Sequence, residues 1–547
     1  MEQFLNYLSI AGAVIFVFLA LGFCIFSHEL GHFLAAKWMG LHVDAFSLGF
    51  RPFWRKKYKG VEYRLGYLPF GGYVEIPQLD SSNGEPKTAA GEPLPRAGSK
   101  ERIITAAAGP LFNIISGLLI ACIVWVCGIP QDTPKMREIT VRSIVEESPE
   151  YRAGLRKGDV IVKLNGQTFH TTWAKFIEQI LYIIGPVELD VRRDNKPLVI
   201  RYIPAENPDA PGAVKKEKIA YPFFTPLIPI QIFPEKNSIA YKAGLRDGDI
   251  LLKAGGEDIT DFMQLQSAFN FSCGKPLALL VRRGEREMEF TVTPQPVPEL
   301  EEHTHYLAGV IQTIDKDGKI SVAELMSGGS AARAGLLPGD ILLEANGKKI
   351  SELTDLPKIM NKGEFEVKLT VERKGKLMNF TVVPQKNTPA TIGISMTVYD
   401  HPTPFDQLAA TVTMSWKSLR GIATGIGNKL GLTEKTSSLK PGHMSGPLGI
   451  GTVLFNSVRT SPISGVYVMV IISFALALFN LLPLPVLDGG HIFFGLIALI
   501  FRREVPAKVI EILSYIFVVL LISLMVFVTY SDGKRLVNKF QTGEQQR

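Results

Sequence analysis

Four stretches of this chain contain no Asp, Glu, Lys or Arg over lengths sufficient to cross a bilayer: residues 3–27, 103–131, 460–487 and 512–531. A charge at mid-bilayer costs about 3 kcal/mol or more, and roughly 20 apolar helical residues span the hydrocarbon. Each run is therefore expected to be a transmembrane helix. A shorter uncharged piece, 489–501, follows the third run and is expected to continue or re-enter from it. The first run lacks a basic leader and a small-residue cleavage site, so it reads as a helix and not as a removed signal peptide. The 547 residues are 46% hydrophobic and 20% charged with four cysteines, which excludes disulfide-rich, collagenous and wholly disordered chains. The net charge of +7 is mild, and much of the basic excess flanks the apolar runs, so no nucleic-acid partner is expected.

That basic excess sets an orientation. Eleven Lys or Arg lie between the first two runs, and Arg502, Arg503 and Lys508 precede the fourth. By the positive-inside rule both connections are cytoplasmic, which places both termini and the long segment 132–459 outside the cytoplasm. Cys24, Cys122 and Cys127 lie in apolar runs and Cys273 stands alone in the long segment, so no external disulfide is expected within one chain.

The long segment repeats itself. AGLRKGDVIVKLNG at 153–166 recurs as AGLRDGDILLKAGG at 243–256 and AGLLPGDILLEANG at 334–347, a period of about 90 residues. In each copy a glycine after a helical turn supplies a left-handed cap, the chain turns at Gly-Asp, and an alternating strand follows. Later hairpins begin near Val187, Pro276 and Phe365. This unit resembles the PDZ domain as used in bacterial proteases, in which an extended peptide adds as a strand to a groove. The Pro-rich, charged stretches 204–214 and 295–302 read as linkers. The region 387–459, in which 405–432 mixes apolar residues with Lys, Arg and Asn, reads as an amphipathic linker at the membrane surface.

Chemistry concentrates at the inner end of the first run, where FSHELGHFLAAK carries His28, Glu29 and His32 as H-E-x-x-H. Residues four apart share a helix face, so both imidazoles reach one Zn²⁺ with Glu29 beside it. Ionisable residues at the end of a membrane helix are costly unless they are used. A catalytic zinc normally has a third protein ligand. NLLPLPVLDGGH at 480–491 offers it near a membrane boundary, from either Asp488 or His491. Its prolines break a continuous helix, which is tolerated where backbone lines a cavity.

Together, H-E-x-x-H in the first helix, N-x-x-P-x-P-x-L-D-G-G-H before the last, and PDZ-like units between the second and third resemble the site-2 protease family of zinc intramembrane metalloproteases, regulator-of-sigma-E type. AAAGPLFN at 106–113 and SGPLGI at 445–450 are also similar to that family's patterns. The resemblance implies Zn²⁺ held by His28, His32 and Asp488, with Glu29 as general base and Asn480 holding the substrate backbone. It further implies cleavage of single-pass membrane proteins, such as anti-sigma factors or remnant signal peptides, after trimming by a site-1 protease, in a bacterial inner membrane. The chain departs from the best-known relatives by carrying three PDZ-like units in place of two.

The expected architecture is a polytopic α-helical membrane protein: helix one with H-E-x-x-H over 1–34, a cytoplasmic loop with a membrane-associated hairpin over 35–102, and helix two over 103–131. PDZ-like units follow over 134–205, 221–295 and 305–386, then helix three with the L-D-G sequence over 460–501 and helix four over 510–531. Within the cytoplasmic loop, 46–54 and 61–76 read as two strands joined by a basic turn over 55–60. A helical substrate must be unwound before it is cut, and its freed backbone groups need partners. The segment Gly71, Gly72, Tyr73 and Val74 is expected to supply them as an edge strand; the alternative is a hairpin that only packs against the helices.

Overall fold

The computed structural model describes residues 2–79, 86–131, 133–207, 220–298, 300, 304–314, 318–326, 328–363, 365–433, 445–503 and 505–544. Helix α1 (Glu2–Trp38) carries the first uncharged run and continues unbroken through H-E-x-x-H. A hairpin of β1 (Ala45–Tyr58) and β2 (Val61–Glu75) leads to α2 (Ser99–Cys127). After a long β-rich excursion the chain returns as α3 (Pro404–Lys429), α4 (Pro447–Thr460), α5 (Pro462–Asn480), α6 (Asp488–Phe501) and α7 (Ala507–Glu544). The segments Ser9–Trp38, Ser99–Cys127, Pro462–Asn480 and Lys508–Arg535 are long and apolar enough to cross a membrane. Helix α2 is the hub, packed on α1, α5 and α6. Its small residues allow this: a Cβ added at Gly31 of α1 would lie 2.3 Å from the Ala108 carbonyl oxygen, so the two helices meet backbone to backbone.

At the membrane end the third run breaks where its prolines stand, and one local expectation is corrected. Helix α5 stops at Asn480 and α6 starts at Asp488, because Pro483 and Pro485 lack the donors a helix needs and push the residues before them toward extended backbone. The hairpin turn is shorter than 55–60. Strand β1 runs on to Tyr58 and the reversal is made by Lys59 and Gly60 alone, with φ of 46° and 85°, the two-residue turn whose twist matches paired strands.

The excursion leaves and returns through one strand pair, Ile129–Gln131 against Val398–Asp400. Asp400 ties this stalk to the first repeat through Lys135 at 2.7 Å and Lys175 at 3.2 Å. Burial alone would raise the Asp400 carboxyl, but the two ammonium groups outweigh it and hold it below the ordinary carboxylate range.

Each repeat has its own apolar core and antiparallel sheet. The repeated aspartates do more than make a turn. Asp159, Asp249 and Asp340 are buried and paired with Arg193, Arg283 and Arg373 of the following hairpins at 2.6, 2.7 and 2.6 Å. The same guanidinium groups donate to the carbonyls of Gly154, Gly244 and Gly335. One bidentate arginine thus pins the repeated turn to the sheet three times over.

The repeats differ in the source of the outer strand, and this redraws their boundaries. The first takes Phe224–Pro226, from the segment expected to open the second unit, and buries Phe224. The third uses its own Val310–Ile314. The second takes Ile394–Ser395 from beyond the third and completes its core with Ala390 and Ile392. The third repeat is therefore inserted into the second. Its entry and exit lie side by side, with Gln295–Pro296 paired to Ala390–Thr391 and the Val297 amide donating to the Pro389 carbonyl at 2.9 Å. Of the stretches expected as linkers, 208–214 and residues 299, 301 and 302 lie outside the described residues, while Gln295–Pro296 is a strand. Likewise 387–459 is not wholly a linker: it begins with these strands and contains α3, which opens with a capping box between Thr403 and Asp406, and most of α4.

An inserted domain with adjacent ends can be removed without opening its host. Replacing residues 299–387 by a two-residue Asn-Gly turn is expected to leave a monodisperse protein whose second repeat keeps its hydrogen-exchange protection. Loss of protection in strands 230–234 and 249–254 would show that the third repeat is integral to the second.

Candidate metal centre and substrate cleft

The side chains of His28 and His32 leave α1 on one face and meet Asp488, the first residue of α6, where the chain resumes helix after the proline break. One Nε2 to Asp488 oxygen distance is 3.1 Å for His28 and 3.4 Å for His32, and the two Nε2 atoms are 3.1 Å apart. The ligand atoms of all three lie within 4.8 Å of one another. Tetrahedral zinc with bonds near 2.05 Å has ligand–ligand edges of about 3.3 Å, so the spacing and the two-nitrogen, one-oxygen donor set fit that ion. His491 also lines the cavity but is not a member of this triad.

Helix α2 fixes the imidazoles from behind. His32 Nδ1 donates to the Thr105 carbonyl at 2.7 Å, which leaves Nε2 as the free lone pair. His28 Nδ1 faces the Asn113 amide at 3.4 Å, and Asn113 Oδ1 is buried without a partner. Turning that amide by 180° places Oδ1 on an Nδ1–H, again freeing Nε2 for a metal. Asn113 is held in turn: its carbonyl accepts from Ser473 of α5 at 2.9 Å. Gly109 sits where the rings pass closest, since a Cβ there would lie 2.3 Å from His32 Nε2 and 2.9 Å from His28 Cε1. Asn113 and Gly109 were readable only as parts of a helix-two pattern. The signal available was an asparagine and a glycine-proline pair in an otherwise apolar run.

Glu29 is buried and borders the same cavity, which holds about 420 Å³. The end of β2 borders the same cavity. Residues Ala45 to Leu48 of β1 pair on one side with Glu62 to Leu65 and on the other with Gly72 to Glu75, so β2 folds round a central strand. The outer edge of 72–75 has no strand partner among the described residues, and Gly72, Tyr73 and Val74 line the cavity. Gly72 touches Glu29: a Cβ there would come within 2.8 Å of Glu29 Cγ. Tyr73 is anchored by stacking on Phe50 and by its hydroxyl accepting from Arg64 at 3.0 Å. Gly71, at φ 141°, lies against the Phe50 ring and is not among the cavity-lining residues. Asn480, the last residue of α5, places Nδ2 3.4 Å from His28 Nε2. All the residues expected to act together except Gly71 thus border one cleft or touch its histidines.

The chain is similar to known proteins over most of its length. The family described as Peptidase family M50 matches residues 16–524. The regulator of sigma-E protease RseP of Salmonella typhimurium is 26% identical, covering 95% of this chain and 97% of that protein. RseP of Escherichia coli is 25% identical over 94% of this chain and 97% of its own length. A Vibrio cholerae protein named "Putative zinc metalloprotease" is 25% identical over 95% and 97%. The chain belongs to peptidase family M50, the site-2 proteases, and is a metalloprotease with membrane-spanning helices.

Proposed function

We propose that this protein is a zinc-dependent intramembrane endopeptidase that cleaves single-pass membrane proteins in regulated intramembrane proteolysis. The observation that carries the reading is that the His28, His32 and Asp488 triad, Glu29 and a strand edge with no strand partner among the described residues border one cavity. On this reading His28, His32 and Asp488 hold Zn²⁺. Bound there, zinc would supply Lewis-acid polarisation of the scissile carbonyl and activation of water. Glu29 takes the proton of the attacking water and hands it to the leaving amine. The edge over 72–74, with Gly71 setting its entry, receives the unwound substrate by strand addition, and Asn480, beside His28, holds the substrate backbone.

Substrates are anti-sigma factors or remnant signal peptides already shortened by a site-1 protease. The sigma-E names of the relatives support that class. The protein sits in the bacterial inner membrane with the three repeats, read as PDZ-like units, and both termini outside the cytoplasm. The repeats then form a canopy that excludes untrimmed ectodomains. Replacing 133–396 by a short turn between the two stalk strands should let untrimmed substrate be cut as fast as trimmed substrate. Equal cleavage of both by the intact protein would remove the size filter.

His28→Ala, His32→Ala and Asp488→Ala should each lose bound zinc, and Gly109→Ala should join them because its methyl group displaces the His32 ring. Glu29→Gln should keep zinc while turnover falls by about 10² to 10⁴. Metal analysis beside cleavage of a membrane substrate separates these classes; full zinc in Asp488→Ala would move the third ligand to His491.

Neighbouring residues of a strand point their N–H groups to opposite edges, so prolines at Tyr73 and Val74 between them remove a donor on the cleft side. One of the two should cut turnover on the order of tenfold or more at normal zinc content. Normal cleavage by both variants would sink the edge-strand role.

A further inference from the structure

Helix α2 turns one stripe toward the cleft, Arg102, Thr105, Ala106 and Gly109, at the spacing that stacks side chains on one helix face. Gly109 and Thr105 serve the histidines, as described above. Arg102 has no such task. It lines the same cavity as Glu29 and Asp488, yet its Nε is buried without a hydrogen-bond partner, and no carboxylate among the described residues pairs with it. A guanidinium is charged at every physiological pH and offers five donors in a rigid fork matched to a carboxylate. Elsewhere in this chain that fork is used: Arg193, Arg283 and Arg373 each clasp an aspartate with two nitrogens. A fork with no carboxylate partner among the described residues, in the wall of the cleft, is left for something that enters it.

We propose that Arg102 is the anion-recognition point of the cleft and receives a carboxylate of the bound chain. The inference rests on the protease reading and adds to it a specificity-determining residue. The strand edge of 72–74 and the Arg102 stripe line the same cavity, so a segment added to the edge shares that cavity with the Arg102 side chain. Two carboxylates can arrive there: an Asp or Glu side chain of the substrate, or the new C-terminal carboxylate that cleavage creates. The first makes Arg102 a selector of sequence, the second a receiver of product.

The test uses full-length protein in detergent carrying Glu29→Gln, so that peptides bind without being cut. Three fluorescent peptides of one apolar sequence are compared by anisotropy: neutral with an amidated C-terminus, the same with one internal Glu, and the same with a free C-terminal carboxylate. Arg102→Gln is expected to weaken at least one acidic peptide about tenfold or more, to the level of the neutral one, while the neutral peptide and the zinc content stay unchanged. Which peptide responds identifies the carboxylate. Arg102→Lys, which keeps the charge without the fork, should fall between. If Arg102→Gln leaves the preference for both acidic peptides over the neutral one as it was, or if there is no such preference in the parent, the inference is overturned while the protease reading stands. If the Glu29 protein cuts no membrane substrate and none of the three peptides binds its Gln variant, the protease reading falls and this inference with it.

Discussion

Everything in the membrane-embedded half of this protein is subordinate to one awkward requirement: two imidazoles and a carboxylate must be packed within 4.8 Å of one another at the end of an apolar helix bundle. Isolated, such groups are costly in low-dielectric surroundings. The solution is a template helix. Along α2, Thr105 supplies a carbonyl to His32, Gly109 leaves room for both rings and Asn113 stands behind His28, all on one face. The helix keeps its place because the bulk that could hold it away from its neighbours is missing: alanines and glycines let α1 approach at Gly31, and Ser27 and Ser473 spend their hydroxyls on α2 carbonyls at 3.1 and 2.9 Å. The small-residue composition of α2 is thus the condition under which the histidines can be where they are.

How much of this was legible in the sequence follows from the physics of each part. Spacing along a helix is a local property, so H-E-x-x-H alone places His28 and His32 on one face. The choice between Asp488 and His491 is not local. It depends on how a chain broken by Pro483 and Pro485 turns back, and only the fold brings Asp488 within 3.4 Å of both rings. The repeats announce themselves by period, yet their boundaries do not. The strand that completes the second repeat is only two residues long, Ile394–Ser395, and lies about 160 residues beyond the first strand of the sheet it joins. No periodicity survives in so short a piece, and a region of mixed polarity around it reads as linker. The paired Asp and Arg of each repeat were present in all three copies of the sequence, but a turn aspartate and a hairpin arginine each have a sufficient local explanation. Their partnership across some 34 residues appears only in the packed unit.

The hairpin beside the metal centre is the place where local and global demands conflict. An unpaired strand edge is a liability in water, since it invites pairing with any other chain. This chain builds one by wrapping β2 around the short segment 45–48, which satisfies both sides of that segment and leaves 72–75 paired on one side only among the described residues. The liability is contained by placement. The edge, Glu29 and His28 of α1, and Arg102, Thr105 and Ala106 of α2 line one cleft of about 420 Å³. A folded helix has no free backbone groups to offer such an edge, whereas an extended segment has them on every second residue. On the proposed strand-addition reading, selectivity for unwound chain is a geometric consequence of hydrogen-bond supply, independent of the identity of the side chains that pass through. On the same reading, side-chain preference comes from the part of α2 that lines this cleft and is not committed to the histidines.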